Sequence, residues 1–349
     1  MNPNSTTGWL PVEIGLDLQP AVVEDSLVYW MEFGSTPLAE PFFDNTVEKL
    51  RRAAPPAREI ATDVETMLRV SARLPAVRPA GFIFHLSHCG STLVANAMKT
   101  SDHAVVVSES RPVTHLLRRG SSTLTPYLQE RWDRTRKSLL NSLFSLFAHY
   151  RTGEPEPLVM KFVSLDVLGI QMVRSYWPET PSVIVVRDPV EVMVTNLKGP
   201  GWMSFKERPE YATQVFGWSN LPRPAAEMIE EEFCARVLGS FCASALQAVA
   251  DKSGGPCMVV DYVDLNPDRM REIAAFFGIR LRDEGKAVDE VFQSYAKDPQ
   301  KKIRYRDDRD MKQRLATVLI RSAANQWAME SYTELKKRRR PERESTGAS

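Results

Sequence analysis

Three groups of residues in this chain have types and spacings suited to handling an anion. The first is Ser87-His88-Cys89-Gly90-Ser91-Thr92, between the apolar run GFIFHL (81–86) and the helical stretch LVANAMK. A strand that turns on a glycine into a helix aims successive backbone N–H groups at one point, and the helix dipole adds to the field there. Gly90 lets the backbone approach a bound anion closely, while Ser91 and Thr92 add hydroxyl donors. The same residues also suit a tight strand-to-helix turn with Ser and Thr as caps. The second group is Arg187-Asp188-Pro189 at the end of SVIVV, with Thr195 eight residues beyond Arg187. A guanidinium fork at a strand end, with a hydroxyl on the following helix, suits a phosphate. The plainer alternative is an Arg–Asp pair with Pro189 opening the helix. The third group, Glu109-Ser110-Arg111 after AVVVS, places a carboxylate at a strand end, either aimed into a cleft or paired locally with Arg111.

Known loop patterns separate the chemistries. A Walker A loop, G-x-x-x-x-G-K-[ST], would need Gly where His85 stands and Lys where Ser91 stands. A thiolate phosphatase loop, H-C-x5-R, would use Cys89 at the helix start, where a thiol pKa is depressed, but Ala95 occupies the Arg position. The pattern P-[KR]-[ST]-G-[ST]-[ST], the 5′-phosphosulfate loop of the P-loop sulfotransferase family, is closer, and the segment 87–92 resembles it when aligned on Gly90. The run from Arg187 to Thr195 resembles the same family's 3′-phosphate motif, R-[DN]-[PA]-x-[DE]-x-x-x-[ST]. VVDYVDLNPDRMREIAAFFGI resembles its Y-E-D-L-x-x-x-P-x-x-x-x-x-x-I-x-x-F-L-G segment, so the likeness spans about residues 80 to 280.

The resemblance implies a metal-independent sulfotransferase. The donor would be 3′-phosphoadenosine 5′-phosphosulfate (PAPS), the product adenosine 3′,5′-bisphosphate (PAP), and the acceptor a hydroxyl or amine. It assigns donor binding to Ser87, His88, Cys89, Gly90, Ser91, Thr92, Arg187 and Thr195. The family's loop Lys or Arg falls on His88, whose imidazole would donate to the bridging oxygen and whose charge would depend on pH. Cytosolic small-molecule members place a basic His in a K-x-H stretch; LVMKFVS has Lys161 but Val163 at that His. The tyrosylprotein sulfotransferase branch instead uses a Glu in E-T-R, and His88 plus twenty-one is Glu109. On that likeness Glu109 is the base, with His88 and Lys161 stabilising leaving-group charge. Lys161, inside an apolar strand, either reaches the sulfate or pairs with a carboxylate. A P-loop phosphotransferase and a non-catalytic nucleotide-binding protein remain as alternatives.

These side chains need a scaffold that delivers them to one edge. GFIFHL (81–86), AVVVS (104–108), LVMKFV (158–163), SVIVVR (182–187) and CMVVDY (257–262) are near-continuously apolar, as strands buried on both faces are. Helical stretches near 91–99, 127–150, 189–197, 226–252, 267–277 and 308–334 alternate with them. That alternation predicts an α/β fold, one sulfotransferase-like domain with a central parallel sheet flanked by helices. Asn266 and Pro267 start one helix and Gly278 stops it. Residues 1–79 read as an N-terminal extension able to cover an acceptor pocket, 80–335 as the domain, and 336–349 as a disordered basic tail. The aromatic-rich stretch 199–222 is long enough for a lid. His85 reads as a hydrogen-bonded core residue.

Composition narrows the partners. A formal net charge of +1 draws in neither nucleic acid nor anionic membrane, so an anion site must be local. The expected partner is a small-molecule or peptide acceptor. Four scattered cysteines form no CxxC pair and no metal-ligand spacing, which suits a reducing compartment. The first residues lack the basic and apolar regions of a signal peptide, and charge interrupts every apolar run before it reaches membrane length. These features predict a cytoplasmic protein.

Overall fold

The computed structural model describes residues 7–15, 26–118, 126–199, 201–208, 212, 215–218, 220–282, 286–298, 300, 302–304 and 306–338. In chain order its strands are β1 (Trp9–Gly15), β2 (Leu27–Glu32), β3 (Glu59–Asp63), β4 (Gly81–His85), β5 (Val105–Ser108), β6 (Leu158–Lys161), β7 (Ser182–Val186) and β8 (Cys257–Asp261). The last five are the five apolar runs of the sequence. They form one parallel sheet in the order β5-β6-β4-β7-β8. Every residue of β4 to β7 is buried, because helices cover both faces. Alternation then sorts the side chains. Phe82, Phe84, Met160, Ile184 and Val186 enter one apolar cluster, and Ile83, Val159, Val183, Val185 and Val260 enter the other. Phe84 stacks on Phe162, with ring centroids 4.6 Å apart.

The strand order positions the site. From β4 the chain moves outward to β5, returns to β6 beside β4, and then crosses to β7 on β4's other side. The loop leaving β4 therefore opens into the crevice where the winding reverses, the place at which open α/β sheets bind ligands.

The N-terminal segment holds a sheet that the sequence reading lacks. β1, β2 and β3 are antiparallel neighbours. Along β2, Leu27 and Tyr29 are exposed while Val28 and Trp30 are buried, the period of two that puts one face inward. That face joins the large apolar cluster with Phe147 and Tyr150 of the segment that ends the helix Pro126–His149, and the Gly8 N–H donates to the Tyr150 carbonyl at 2.7 Å. The helix expected over 308–334 is instead three, Arg309–Leu315, Val318–Trp327 and Met329–Lys337. Thr317 is extended and caps a fresh start, its hydroxyl accepting from the Ile320 N–H at 3.2 Å. The breaks let these helices fold over Glu230–Ala250, where Gly239 is required: a Cβ there would lie 2.2 Å from the Trp327 carbonyl oxygen. Glu230–Ala250 is the one described helix long and apolar enough to cross a membrane. Here Phe233, Val237, Phe241 and Ala245 bury it in the core. Of the expected tail, Lys336 and Lys337 complete the last helix, Arg338 caps it, and 339–349 lie outside the described residues.

Candidate functional site

The carboxyl ends of β4 to β7 bring the three sequence groups to one edge. Ser87 to Thr92 follow β4, Glu109 follows β5, Lys161 ends β6 and Arg187 follows β7. Among the described residues, three that are not glycine have positive φ: Ser87 at 78°, His88 at 47° and Glu109 at 55°. All three sit at this edge. Left-handed backbone at ordinary residues is unfavourable and persists only where the surroundings impose it, which marks the edge as specialised.

The loop after β4 has donors without acceptors. The Ser87 N–H donates to His85 Nδ1 at 3.1 Å. Among the described residues, the N–H groups of His88, Cys89, Gly90 and Thr92 have no oxygen or nitrogen to donate to, and neither do the hydroxyls of Ser91 and Thr92, two residues with little exposed surface. Gly90, at φ 85°, turns the chain into the helix Ser91–Met98. A Cβ there would lie 2.3 Å from Leu265 Cδ1 and 3.2 Å from Tyr262 Cδ2, so only glycine fits both the turn and the packing. Cys89 is fully buried, and burial raises its thiol pKa. It is no thiolate nucleophile. His88 is driven the other way, to about 3, by burial and then by Lys297, Lys312, His85 and Arg187. The imidazole at position 88 is thus neutral here.

Beside the loop lies a buried ion pair. Lys161 donates to Glu109 Oε1, and its ammonium lies 5.4 Å from the centre of the Phe42 ring. His85 completes the group. Its Nδ1 accepts from Ser87, so the ring proton belongs to Nε2, which donates to the Phe162 carbonyl at 3.0 Å and lies 3.6 Å from Glu109 Oε1. Burial lowers the His85 pKa to about 4, and Lys161 pushes the same way. Burial alone would raise the Glu109 carboxyl, but Lys161 and His85 outweigh it and leave Glu109 below the usual carboxylate range. The carboxylate is therefore ionised and accepting. On either side of it, Ser108 and Ser110 carry buried hydroxyls with no partner among the described residues.

Arg187 stands differently. Nε donates to Glu191 at 2.7 Å, Nη1 to the His88 carbonyl at 3.1 Å, and Nη2 to Asp308, while the guanidinium lies 3.8 Å from the Tyr262 ring centre. Three of its five N–H donors are spent. Asp308 is shared with Lys312, and Glu191 with Gln313. The Thr195 hydroxyl donates back to the Glu191 carbonyl at 3.3 Å. A cavity of about 300 Å³ opens here, walled by Arg187 and Arg309 but also by Asp188, Glu191 and Asp261.

Other expectations fall elsewhere. Arg111 turns away from Glu109 and bonds Asp44 at 3.1 Å, so the local Glu–Arg pair does not form. In the stretch 199–222 the described aromatics pack inward: Trp202 meets Phe241 edge-on, and Phe216 stacks on Trp218 at 4.8 Å. Residues 200, 209–211, 213, 214 and 219 of that stretch lie outside the described residues. His85 is buried and hydrogen-bonded as the sequence suggested, although its place beside Glu109 was not foreseen. Lys297, which follows β4 by more than two hundred residues, was not singled out from sequence. A second cavity, of about 380 Å³, runs along the free edge of β5, with Glu40, Asn96, Lys99 and Tyr295 in its wall. There Lys99 donates to the Glu40 carbonyl, and burial lowers its pKa to about 7.

No protein-family model and no curated protein matches this chain. Among solved structures it is similar to the sulfotransferase domain from the curacin biosynthetic pathway, at 14% identity and TM-score 0.43 over 75% of this chain and 98% of that one. It is also similar to the sulfotransferase from Alicyclobacillus acidocaldarius, at 14% identity and TM-score 0.42 over 75% and 95% of the two chains. A third is sulfotransferase STF9 from Mycobacterium avium, at 12% identity and TM-score 0.40 over 70% and 76%.

Proposed function

We propose that this chain is a sulfotransferase moving a sulfuryl group from PAPS to a hydroxyl or amine of a small-molecule or peptide acceptor. The observation that carries the reading is the cradle at His88–Thr92, whose N–H and hydroxyl donors lack acceptors beside an ionised, held carboxylate. An oxyanion seated in the cradle would accept from several of these donors at once. The sequence motifs at 87–92 and 187–195 support the same donor.

The residues fit the donor unevenly. At the loop, the N–H groups of His88 to Gly90 and Thr92, with the Ser91 and Thr92 hydroxyls, would hold the 5′-phosphosulfate. At Arg187, two N–H donors remain for the 3′-phosphate, and Thr195 can swing its hydroxyl to join them. PAPS supplies an activated S–O bond: the acceptor oxygen or nitrogen bonds to sulfur as the bond to the 5′-phosphate breaks and PAP leaves. Glu109 takes the acceptor proton. Lys161 and His85 hold that carboxylate in place and keep it ionised, at the cost of basicity. The loop donors meet the charge that grows on the phosphate side.

Two measurements test this. Calorimetry should detect PAP binding to the purified chain, and labelled PAPS with an acceptor panel should give labelled product at equal rates with and without EDTA. No PAP binding sinks the donor assignment. Binding with no transfer to any acceptor class leaves a nucleotide-binding protein, and EDTA-sensitive transfer from ATP points to a phosphotransferase.

A further inference from the structure

We propose that Lys297, carried on the segment 294–304, is the cation that meets the 5′ anion of the donor at the 87–92 loop. This rests on the reading of that loop as the phosphosulfate site. The position is built rather than incidental. Asp298 caps the turn, accepting from the Gln300 N–H at 3.0 Å and the Ile303 N–H at 2.7 Å. Ser294 bridges Arg304, and the Tyr295 N–H donates to the Ile303 carbonyl at 2.6 Å. Asn96, on the helix that the loop opens, donates to the Ala296 carbonyl at 2.8 Å and so fastens the segment to that helix. Tyr295, Ala296 and Asp298 wall the β5-edge cavity, and Lys297 is not part of that wall. Lys297 follows Ala296 directly, so the bond from Asn96 sets it against the helix that opens at the loop, where its charge adds to burial in lowering the His88 pKa.

The charges around it decide the role. Lys161 is paired with Glu109, Lys312 with Asp308, and Arg187 with Glu191 and Asp308. Lys297 is partly buried, yet among the described residues it has no hydrogen-bond or ion-pair partner. Burial lowers its pKa, the mark of an ammonium that has lost water without gaining a carboxylate. Such a group is costly until an anion arrives. The unpartnered donors of the loop require the same thing, and position 88, with its neutral imidazole, brings no charge to it. A lysine remote in sequence thereby takes the place of the loop cation.

The test compares probes by calorimetry on the full chain. PAP carries a 5′-phosphate, and adenosine 3′-monophosphate does not. Lys297→Met should weaken PAP about ten- to a hundredfold, the effect of losing one charged contact, and leave adenosine 3′-monophosphate unchanged. Lys297→Arg, which keeps the charge, should stay within a few-fold of wild type for both. If Lys297→Met binds PAP as wild type does, the inference falls while the donor reading stands. If it loses both probes equally, Lys297 only holds the segment in place, and the inference falls as well. If wild type itself binds no PAP, the donor reading fails first.

Discussion

The loop after β4 and the turn after β7 are built alike, each a buried strand running into a helix at the same edge of the sheet, yet they are in opposite states. Around Gly90, donors have no acceptors. Around Arg187, the guanidinium is enclosed by Glu191, Asp308, the His88 carbonyl and the Tyr262 ring. The first arrangement gains from a ligand; the second is already stable without one. Arg187 also reaches across to the His88 carbonyl, so the satisfied region holds the unsatisfied one in shape. Counting spent and free donors thus separates a binding loop from its clamp, a distinction that motif spacing alone does not make.

The largest effect should come from the carboxylate beside the loop. Glu109→Gln is expected to lower turnover about 10²–10⁴-fold, with PAP affinity within a few-fold of wild type. It should also cost stability, because it strips the fully buried Lys161 of its charge partner. Breaking a buried pair costs about 3–5 kcal/mol. Steady-state rates and denaturant melts read the two separately. A variant with near-normal turnover moves the base elsewhere.

Next in size is the contrast itself. Arg187→Ala leaves Glu191 without its cation and Asp308 with Lys312 alone, and should lower stability by about 3–5 kcal/mol, with a fall in PAP affinity alongside. Ser91→Ala and Thr92→Val should do the reverse, weakening PAP about tenfold while unfolding stays within about 1 kcal/mol of wild type. If Arg187→Ala weakens PAP without touching stability, Arg187 is a ligand group rather than a clamp. If the hydroxyl variants melt early and bind normally, the cradle has the structural part.

The smallest effect is a pH dependence. His88 lies at about 3 and His85 at about 4 in the folded chain, against about 6.5 when unfolded. Between those values the unfolded chain binds more protons, so stability rises with pH and is lost as pH falls from about 6.5 toward 4 and below. Asp166, raised to about 6 by burial, works in the opposite direction over part of that range. His88→Asn should therefore lose less stability than wild type between pH 7 and pH 4.5 in thermal melts. Equal slopes would place His88 in contact with water.

The sequence alone determined the five buried strands, because continuous Val, Ile and Phe runs leave few other options. It also determined the strand-to-helix turn at Gly90 and the cap at Asn266, because those depend on residues within a few positions of one another. The sheet β1-β2-β3 was less legible: β2 and β3 are half-exposed, β1 is interrupted by Pro11 and Glu13, and their partners lie about ten to forty residues apart. Partnerships were decided by tertiary structure alone. Glu109 stands two residues from Arg111 but pairs with Lys161, fifty-two residues away, because parallel pairing of β5 with β6 sets Ser108 opposite Lys161. Arg187 meets Asp308 across one hundred and twenty-one residues for the same kind of reason. The segment that carries Lys297 meets the helix after the loop, two hundred residues away in the chain, because Asn96 fastens it there. Charge neutralisation depends on distance in space, and chain spacing carries that distance only within a single element.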